Sequence, residues 1–113
     1  VKEHGEGGSL LGALPKGNVL IIDDVVSSGL AIREALTFLS NYDVNVAGAL
    51  VTMDRQEKGQ NSNLMASSEL SNEGLVVHSI ITLDDLLDAN EIINESVLQD
   101  IRNYRDKFRG EDV

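Results

Sequence analysis

The sequence predicts an α/β fold, in which a parallel sheet is flanked by helices, and three observations support this prediction. Aliphatic runs of strand length alternate along the chain with stretches whose apolar residues recur at helical spacing. The first aliphatic run leads into two adjacent acids and a short loop of serine and glycine. Third, 113 residues with 42% apolar and 25% charged side chains suit one small domain with a modest core.

The chain begins with a predicted mobile loop and arm, because five of the ten glycines lie in residues 1–17. Residues 18–23 contain four consecutive aliphatic residues, which predicts a strand buried on both faces at the centre of a parallel sheet. Ile32, Leu36 and Leu39 then recur at helical spacing. Residues 30–41 are therefore predicted to form an amphipathic helix.

The rest of the chain continues this alternation. Thr82 and Asp85 have the spacing of a capping box, which predicts the start of a helix. The last predicted helix carries an apolar stripe of Val97, Ile101, Tyr104 and Phe108. The other predicted elements are strands over 44–53 and 75–81, a loop over 54–63, and helices over 64–71 and 83–89.

The composition argues against several classes of protein. The chain has no cysteine, so no disulfide or thiolate metal site can form, and a cytoplasmic setting is expected. No apolar run approaches the roughly 18 residues that a membrane span requires, so no membrane contact is expected. A net charge of -10 with nine Lys and Arg argues against nucleic-acid binding, because phosphate backbones select cations. A phosphate ligand would have to be held locally, by backbone amides and a few cations.

The segment after the first predicted strand has the features of an anion site. In a parallel α/β sheet, ligands bind beyond the C-terminal ends of strands, where Asp23 and Asp24 are expected. The next helix would offer unpaired amides, Ser27 and Ser28 would add hydroxyl donors, and Gly29 would allow close backbone approach. Neither a Walker loop nor a dinucleotide fingerprint is present. Three roles are open to the two acids: they would bind sugar hydroxyls, orient water around Mg²⁺, or stabilise positive charge on a ribose.

Residues 19–34 resemble the motif of type I phosphoribosyltransferases that binds phosphoribosyl pyrophosphate (PRPP): an aliphatic strand, two acids, a serine-glycine loop and a helix. Residues 2–8 resemble the catalytic loop of orotate phosphoribosyltransferase, and residues 53–59 and 80–86 resemble later segments of it. The resemblance implies the C-terminal part of a single phosphoribosyltransferase domain, with the N-terminal part missing. Residues 1–17 would be its flexible catalytic loop and arm, and residues 18–113 its PRPP-binding α/β core.

The resemblance also implies a reaction. The intact enzyme would transfer phosphoribose from PRPP to orotate, giving orotidine 5′-phosphate and pyrophosphate in pyrimidine biosynthesis, and this chain by itself would be inactive. Lys2 and His4, which would contact the pyrophosphate, and Asp23 and Asp24, which would face the ribose hydroxyls, would be the catalytic residues. Ser27 and Arg55 would bind orotate, since a guanidinium suits a planar carboxylate. The implied PRPP-binding residues are Lys2, His4, Asp23, Asp24, Val25, Val26, Ser27, Ser28, Gly29, Leu30 and Ala31.

Further implications concern the cofactor and the assembly. Mg²⁺ would be held mainly by PRPP, with no direct protein ligand. The catalytic loop of the family reaches the neighbouring subunit, which implies a homodimer with shared active sites. Leu30 stands where many relatives have a hydroxyl residue, so one phosphate contact is expected to be lost.

Other interpretations of the same residues stay open. A PRPP-sensing regulator, or a phosphoribosyltransferase for another base, would keep the anion site, and residues 2–8 and Arg55 distinguish these from an orotate enzyme. Taken alone, the two acids would also suit a solvated loop or the acidic pocket of a receiver-type domain. Arg55 alone would equally suit a solvated loop. Tyr104 and Phe108 are predicted to be core or interface residues and not ligand contacts.

Overall fold

The computed structural model describes residues 11–112, which form three parallel strands and four helices. The strands lie in the order β1-β2-β3. The predicted α/β fold with a parallel sheet is therefore confirmed. The elements are β1 (Gly17–Val26), α1 (Leu30–Leu39), β2 (Val44–Asp54), α2 (Ala66–Asn72), β3 (Val77–Thr82), α3 (Leu83–Asp88) and α4 (Glu95–Phe108).

The core lies between one face of the sheet and helices α1 and α2. Ile21 of β1 and Val51 of β2 pack in one cluster with Ile32 of α1 and Leu70 of α2, and all four are buried. The strand period of two and the helical period of 3.6 bring these side chains to the same side. Each such side chain contributes about 1.5–3 kcal/mol on burial, so this layer holds α1 and α2 on the sheet.

The opposite face of the sheet is open among the described residues. Ile22 of β1 and Ile80 of β3 are 72% and 75% exposed. Two predictions for the first strand are therefore wrong for this part of the chain: β1 is buried on one face, and β2 is the central strand. An aliphatic run cannot distinguish these cases, because burial of the second face depends on what packs there. The strand also continues to Val26, so Asp23 and Asp24 lie within it and not after it.

The end of α2 explains why β3 begins two residues later than predicted. Gly74 has φ 102°, its amide donates to Ser71 O at 3.0 Å, and the Leu75 amide donates to Leu70 O at 2.9 Å. These two bonds form a Schellman motif, in which the residue after the glycine stays bound to the helix. Leu75 is thus buried against the helix and does not join the sheet.

The predicted capping box at the start of α3 is confirmed. Thr82 Oγ1 accepts a hydrogen bond from the Asp85 amide at 3.1 Å, and the Thr82 amide donates to Asp85 Oδ2 at 2.9 Å. Helix α4 is capped by Asn94, whose Oδ1 accepts from the Ser96 amide at 2.8 Å. Both caps satisfy amides that would otherwise have no helical partner.

The segment after α4 packs against the loop that follows β2. The Gly110 amide donates to Gln56 O at 2.9 Å, and the Met65 amide donates to Glu111 O at 2.8 Å. A Cβ atom added at Gly110 would lie 2.5 Å from Met65 Cα, which is backbone and cannot move aside easily. Only glycine fits where the C-terminal segment passes this loop.

We expect Gly110→Ala to destabilise the protein by about 1–3 kcal/mol, the usual cost of forcing an extra carbon into a packed site. The measurement is urea unfolding of the two proteins. Asp112→Ala is the control, because Asp112 is exposed in the same segment. Equal stability of Gly110→Ala and wild type would contradict the close packing at Gly110.

Candidate active site

The loop between β1 and α1 ends in a helix start that suits an anion. Gly29 precedes α1 with φ 86°, a conformation that favours glycine, and its carbonyl accepts the first helical bond from the Arg33 amide at 3.0 Å. Within the described chain, no side chain caps this helix. The first amides of α1 are therefore open to a ligand, and the helix dipole favours a negative one.

A cavity of about 290 Å³ opens at this loop. Its lining includes Asp23 together with every residue of 25–31, so the structure brings most of the predicted PRPP-binding residues together. Asp24 is exposed and outside the lining, because adjacent strand residues point to opposite faces. Lys2 and His4 lie outside the described residues.

Helix α2 supports the loop from behind. A Cβ atom at Gly29 would lie 3.4 Å from Ala66 Cβ and 3.5 Å from Leu70 Cδ1, so the Gly29 backbone sits directly against α2. Ala66 and Leu70 are both 1% exposed. The turn into α1 is thus held between β1 on one side and α2 on the other.

The buried carboxylate of Glu69 connects α2 to its surroundings. It accepts hydrogen bonds from Arg33 Nη2 at 2.7 Å, from Ser62 Oγ at 2.6 Å, and from the amides of Gln60 and Asn61 at 3.0 Å. A Cβ atom at Gly59 would lie 2.4 Å from Glu69 Oε1. One carboxylate therefore joins α1, α2 and the loop after β2, and Gly59 lets the loop approach it closely.

The pKa values of Glu69 and Arg33 agree with the hydrogen bonds that these two side chains make. Burial opposes the charge of Glu69, but hydrogen bonds from Ser62, Arg33 and Asn61 outweigh it and hold the pKa of Glu69 below its ordinary value. The hydrogen bond with Glu73 is the largest effect on Arg33 and raises its pKa. Burial lowers this pKa, but the hydrogen bond with Glu69 raises it again, so the pKa of Arg33 lies above its ordinary value. Both groups are charged throughout the neutral range.

A second cavity, of about 460 Å³, lies beside the first. Val25 lines both cavities, and Arg55 lines the second. The Arg55 amide donates to Val26 O at 2.9 Å, which fixes the Arg55 backbone next to the loop. Apart from Arg55, the second cavity is lined by Val25, Met53, Leu83, Val97, Asp100, Ile101 and Tyr104.

Arg55 contacts two side chains that the sequence interpretation did not assign to the site. Its Nη2 lies 2.8 Å from Glu57 Oε2, and its guanidinium lies 5.0 Å from the centre of the Tyr104 ring. The Tyr104 hydroxyl donates to the same Glu57 oxygen. Tyr104 was expected in the core or an interface, and no local signal links it to a residue 49 positions earlier in the chain.

Within residues 11–112, no group of three or more His, Asp or Glu side chains is arranged to hold a metal ion. In the same part of the chain, no helix has both the length and the apolar character to cross a membrane.

The fold and the loop define a class of protein. The sequence model of the phosphoribosyl transferase domain matches residues 3–81, and the chain belongs to this family.

Relatives within the family carry a more specific name. The chain is 46% identical over 110 residues to the orotate phosphoribosyltransferase of Acinetobacter baumannii (strain ACICU), covering 95% of this chain and 50% of the relative. It is 43% identical over 111 residues to that of Proteus mirabilis, covering 95% of this chain and 51% of the relative. The resemblance to orotate phosphoribosyltransferases is thus confirmed, and the chain spans about half the length of these relatives.

Solved structures agree. The orotate phosphoribosyltransferase of Francisella tularensis superposes with a TM-score of 0.64 at 27% identity, covering 82% of this chain and 47% of that one. The UMP synthase of Leishmania donovani superposes with a TM-score of 0.68 at 27% identity, covering 87% of this chain and 21% of that one.

We expect Glu69→Gln to lower the free energy of unfolding at neutral pH by about 1.5–3 kcal/mol, because charge-assisted hydrogen bonds are lost. The folded-state pKa of Glu69 is depressed, so its contribution is complete above the ordinary value of 4.5 and disappears as the pH falls through the folded value. The difference between wild type and variant, measured by urea unfolding, should therefore shrink below about pH 4.

The matched control is Glu73→Gln, which changes the exposed partner of Arg33 and should have a much smaller effect. A Glu69 effect that stays constant down to pH 3 would contradict a role for its charge.

Proposed function

We propose that the complete protein is an orotate phosphoribosyltransferase, which transfers the phosphoribosyl group of PRPP to orotate. Two cavities that share Val25 in their linings carry this proposal: one contains the open helix start of α1 and Asp23, and the other contains Arg55. The A. baumannii and P. mirabilis relatives, which bear the name of this enzyme, support it.

The first cavity would bind the phosphoribosyl group. The open amides of α1 and the hydroxyls of Ser27 and Ser28 would hold the 5′-phosphate, because this arrangement presents donors and a favourable dipole to an anion. Asp23, half-buried at the cavity wall, would accept hydrogen bonds from ribose hydroxyls, whereas Asp24, exposed on the other face of β1 and outside the lining, is not proposed to contact the ribose. Leu30, which is 52% exposed at the start of α1, offers the phosphate its amide but no hydroxyl.

Arg55 would bind the base. Orotate carries a planar carboxylate, and a guanidinium donates two parallel hydrogen bonds to such a group. Ser27 lines the first cavity, which shares Val25 with the second, and would contact both the 5′-phosphate and the base.

In the reaction, the bond from the anomeric carbon to the pyrophosphate oxygen breaks, and pyrophosphate leaves with the electron pair. A ring nitrogen of orotate forms the new bond to that carbon and releases its proton. Positive charge develops on the ribose during this exchange, and the carboxylate of Asp23 would stabilise it. Lys2 and His4 would contact the departing pyrophosphate.

The cofactor, assembly and location belong to the same proposal. We propose that Mg²⁺ is bound mainly by the pyrophosphate of PRPP, as the family resemblance implies. We further propose a homodimer with shared active sites and a cytoplasmic location, as the family resemblance implies.

The direct test is a spectrophotometric assay of the complete protein with orotate, PRPP and Mg²⁺. We expect orotate to be consumed only when PRPP is present. Binding of PRPP without orotate consumption would overturn the enzyme and favour a PRPP-sensing regulator, and turnover of another base in place of orotate would overturn the substrate.

We expect Arg55→Ala to raise the KM for orotate by about 10- to 100-fold, because charge-assisted hydrogen bonds contribute roughly 1.5–3 kcal/mol. The KM for PRPP should change less than about threefold, a difference of under roughly 1 kcal/mol. Steady-state kinetics with each substrate varied in turn measures both values. Lys58→Ala is the control, because Lys58 is an exposed cation of the same loop. Equal changes in the two KM values would contradict the role of Arg55.

We expect Gly29→Ala to raise the KM for PRPP more than the KM for orotate, the reverse of the result expected for Arg55→Ala. The φ of 86° at Gly29 costs an alanine about 1–3 kcal/mol, and the strain falls on the turn that presents the phosphate amides. The KM for PRPP should rise by about tenfold or more, a free-energy change within that range, while the KM for orotate changes little. Gly74→Ala is the control, because Gly74 also has positive φ and open space around it, but lies in the turn between α2 and β3, outside the lining of both cavities. A larger effect on orotate than on PRPP would contradict this assignment.

A further inference from the structure

We infer that Tyr104 and Glu57 are positioning residues that hold the Arg55 guanidinium ready for the base. This inference rests on the proposed function, in which Arg55 binds orotate, and it adds two residues from distant parts of the chain. Neither is inferred to touch the substrate, and both would act through Arg55.

The three side chains form a closed cluster. Arg55 Nη2 lies 2.8 Å from Glu57 Oε2, the Tyr104 hydroxyl donates to that same oxygen, and the Tyr104 ring lies 5.0 Å from the guanidinium carbon of Arg55. Glu57 is 13% exposed in its side chain and Arg55 is 37% exposed. The guanidinium thus lies over a ring with a carboxylate at one nitrogen, and an arginine has further N–H donors for a ligand.

The backbone beneath the cluster is held in an uncommon conformation. Gln56, between Arg55 and Glu57, has φ 57°, which is unfavourable for a residue with a side chain. Three hydrogen bonds maintain it: its amide donates to Asp54 Oδ1 at 2.8 Å, its carbonyl accepts from the Gly110 amide at 2.9 Å, and its Oε1 accepts from the Asp84 amide at 2.9 Å. Such strain persists only where the surroundings hold it, and it is common at binding sites.

The neighbouring residues are fixed as well. The Arg55 amide is bound to Val26 O, and the Glu57 carbonyl accepts from the Ala66 amide at 2.8 Å. The Tyr104 ring packs against Phe108, with ring centres 4.6 Å apart on the same face of α4. Glu57 and Tyr104, which both contact the guanidinium, are therefore each held by a further contact.

The benefit of such a cluster is preorganisation. A free arginine side chain samples many rotamers and loses this freedom when it binds a planar anion. Holding the guanidinium beforehand reduces that loss, and so strengthens binding of the base without a new contact. The effect should appear in the KM for orotate and not in the KM for PRPP, because the cluster does not include the phosphate loop.

The test is steady-state kinetics of the complete protein with three substitutions. Tyr104→Leu removes the ring and the hydroxyl, and we expect the KM for orotate to rise about 10-fold; Tyr104→Phe keeps the ring and should restore it to within about threefold of wild type. Glu57→Gln should raise the KM about threefold, because it weakens one tether. Tyr42→Leu is the matched control, since Tyr42 forms a similar pair with Phe38 elsewhere, and it should leave both KM values unchanged.

A double substitution separates positioning from a structural role. In the Arg55→Ala background, Tyr104→Leu should raise the KM for orotate no further, because the residue through which it acts is gone. A structural role would lower the melting temperature and would change both KM values in either background. An undiminished Tyr104→Leu effect without Arg55, or a lower KM in Glu57→Gln, would overturn the inference. The lower KM would show that Glu57 competes with orotate for Arg55.

The inference and the proposed function fail in different ways. If wild type consumes no orotate, or if Arg55→Ala leaves the KM for orotate unchanged, both are overturned. If Arg55→Ala acts as expected while Tyr104→Leu, Tyr104→Phe and Glu57→Gln behave as wild type, only the positioning role is overturned.

Discussion

The parallel pairing of β1 with β2 continues to the pair Val26 and Asp54, and the next amide, of Arg55, donates to the Val26 carbonyl. Because the strands end together, the two loops that leave them start side by side. One loop enters α1 and presents open amides, and the other carries Arg55. In a parallel sheet the carboxyl ends of neighbouring strands share one edge, and this edge is where ligands bind. The site depends first on this register.

Helix α2 and the C-terminal segment support the two loops. Helix α2 lies against Gly29, and its Glu69 binds Arg33 of α1 and the loop after β2. The C-terminal segment lies against Gln56 through Gly110. The loop after β2 meets Glu69 at Gly59 and the C-terminal segment meets this loop at Gly110, and an added Cβ atom would collide at either glycine. Residues far from any ligand thereby set the geometry of those that would touch it.

The charges of the chain make sense in this arrangement. A net charge of -10 does not attract anions at long range, so an anionic ligand would have to be recognised by groups placed at short range. Arg33 is bound to Glu69 and Glu73, and Arg109 to Asp84, so these two cations serve the fold. Arg55 is bound to Glu57 but faces a cavity, and its guanidinium is partly exposed. The helix start at Gly29 adds a favourable field for an anion without a charged side chain.

The sequence by itself determined the α/β class, the order of the elements and the loop of residues 25–31, because aliphatic runs, helical spacing and the acid-acid-serine-glycine pattern are local signals. The capping box of Thr82 and Asp85 was predictable for the same reason. Within residues 11–112, the tertiary structure decided that one face of β1 is open, that Asp23 but not Asp24 lines the cavity, and that Tyr104 and Glu57 surround Arg55. These features depend on which surfaces meet after folding. Contacts between residues 49 positions apart follow from packing, and no local pattern encodes them.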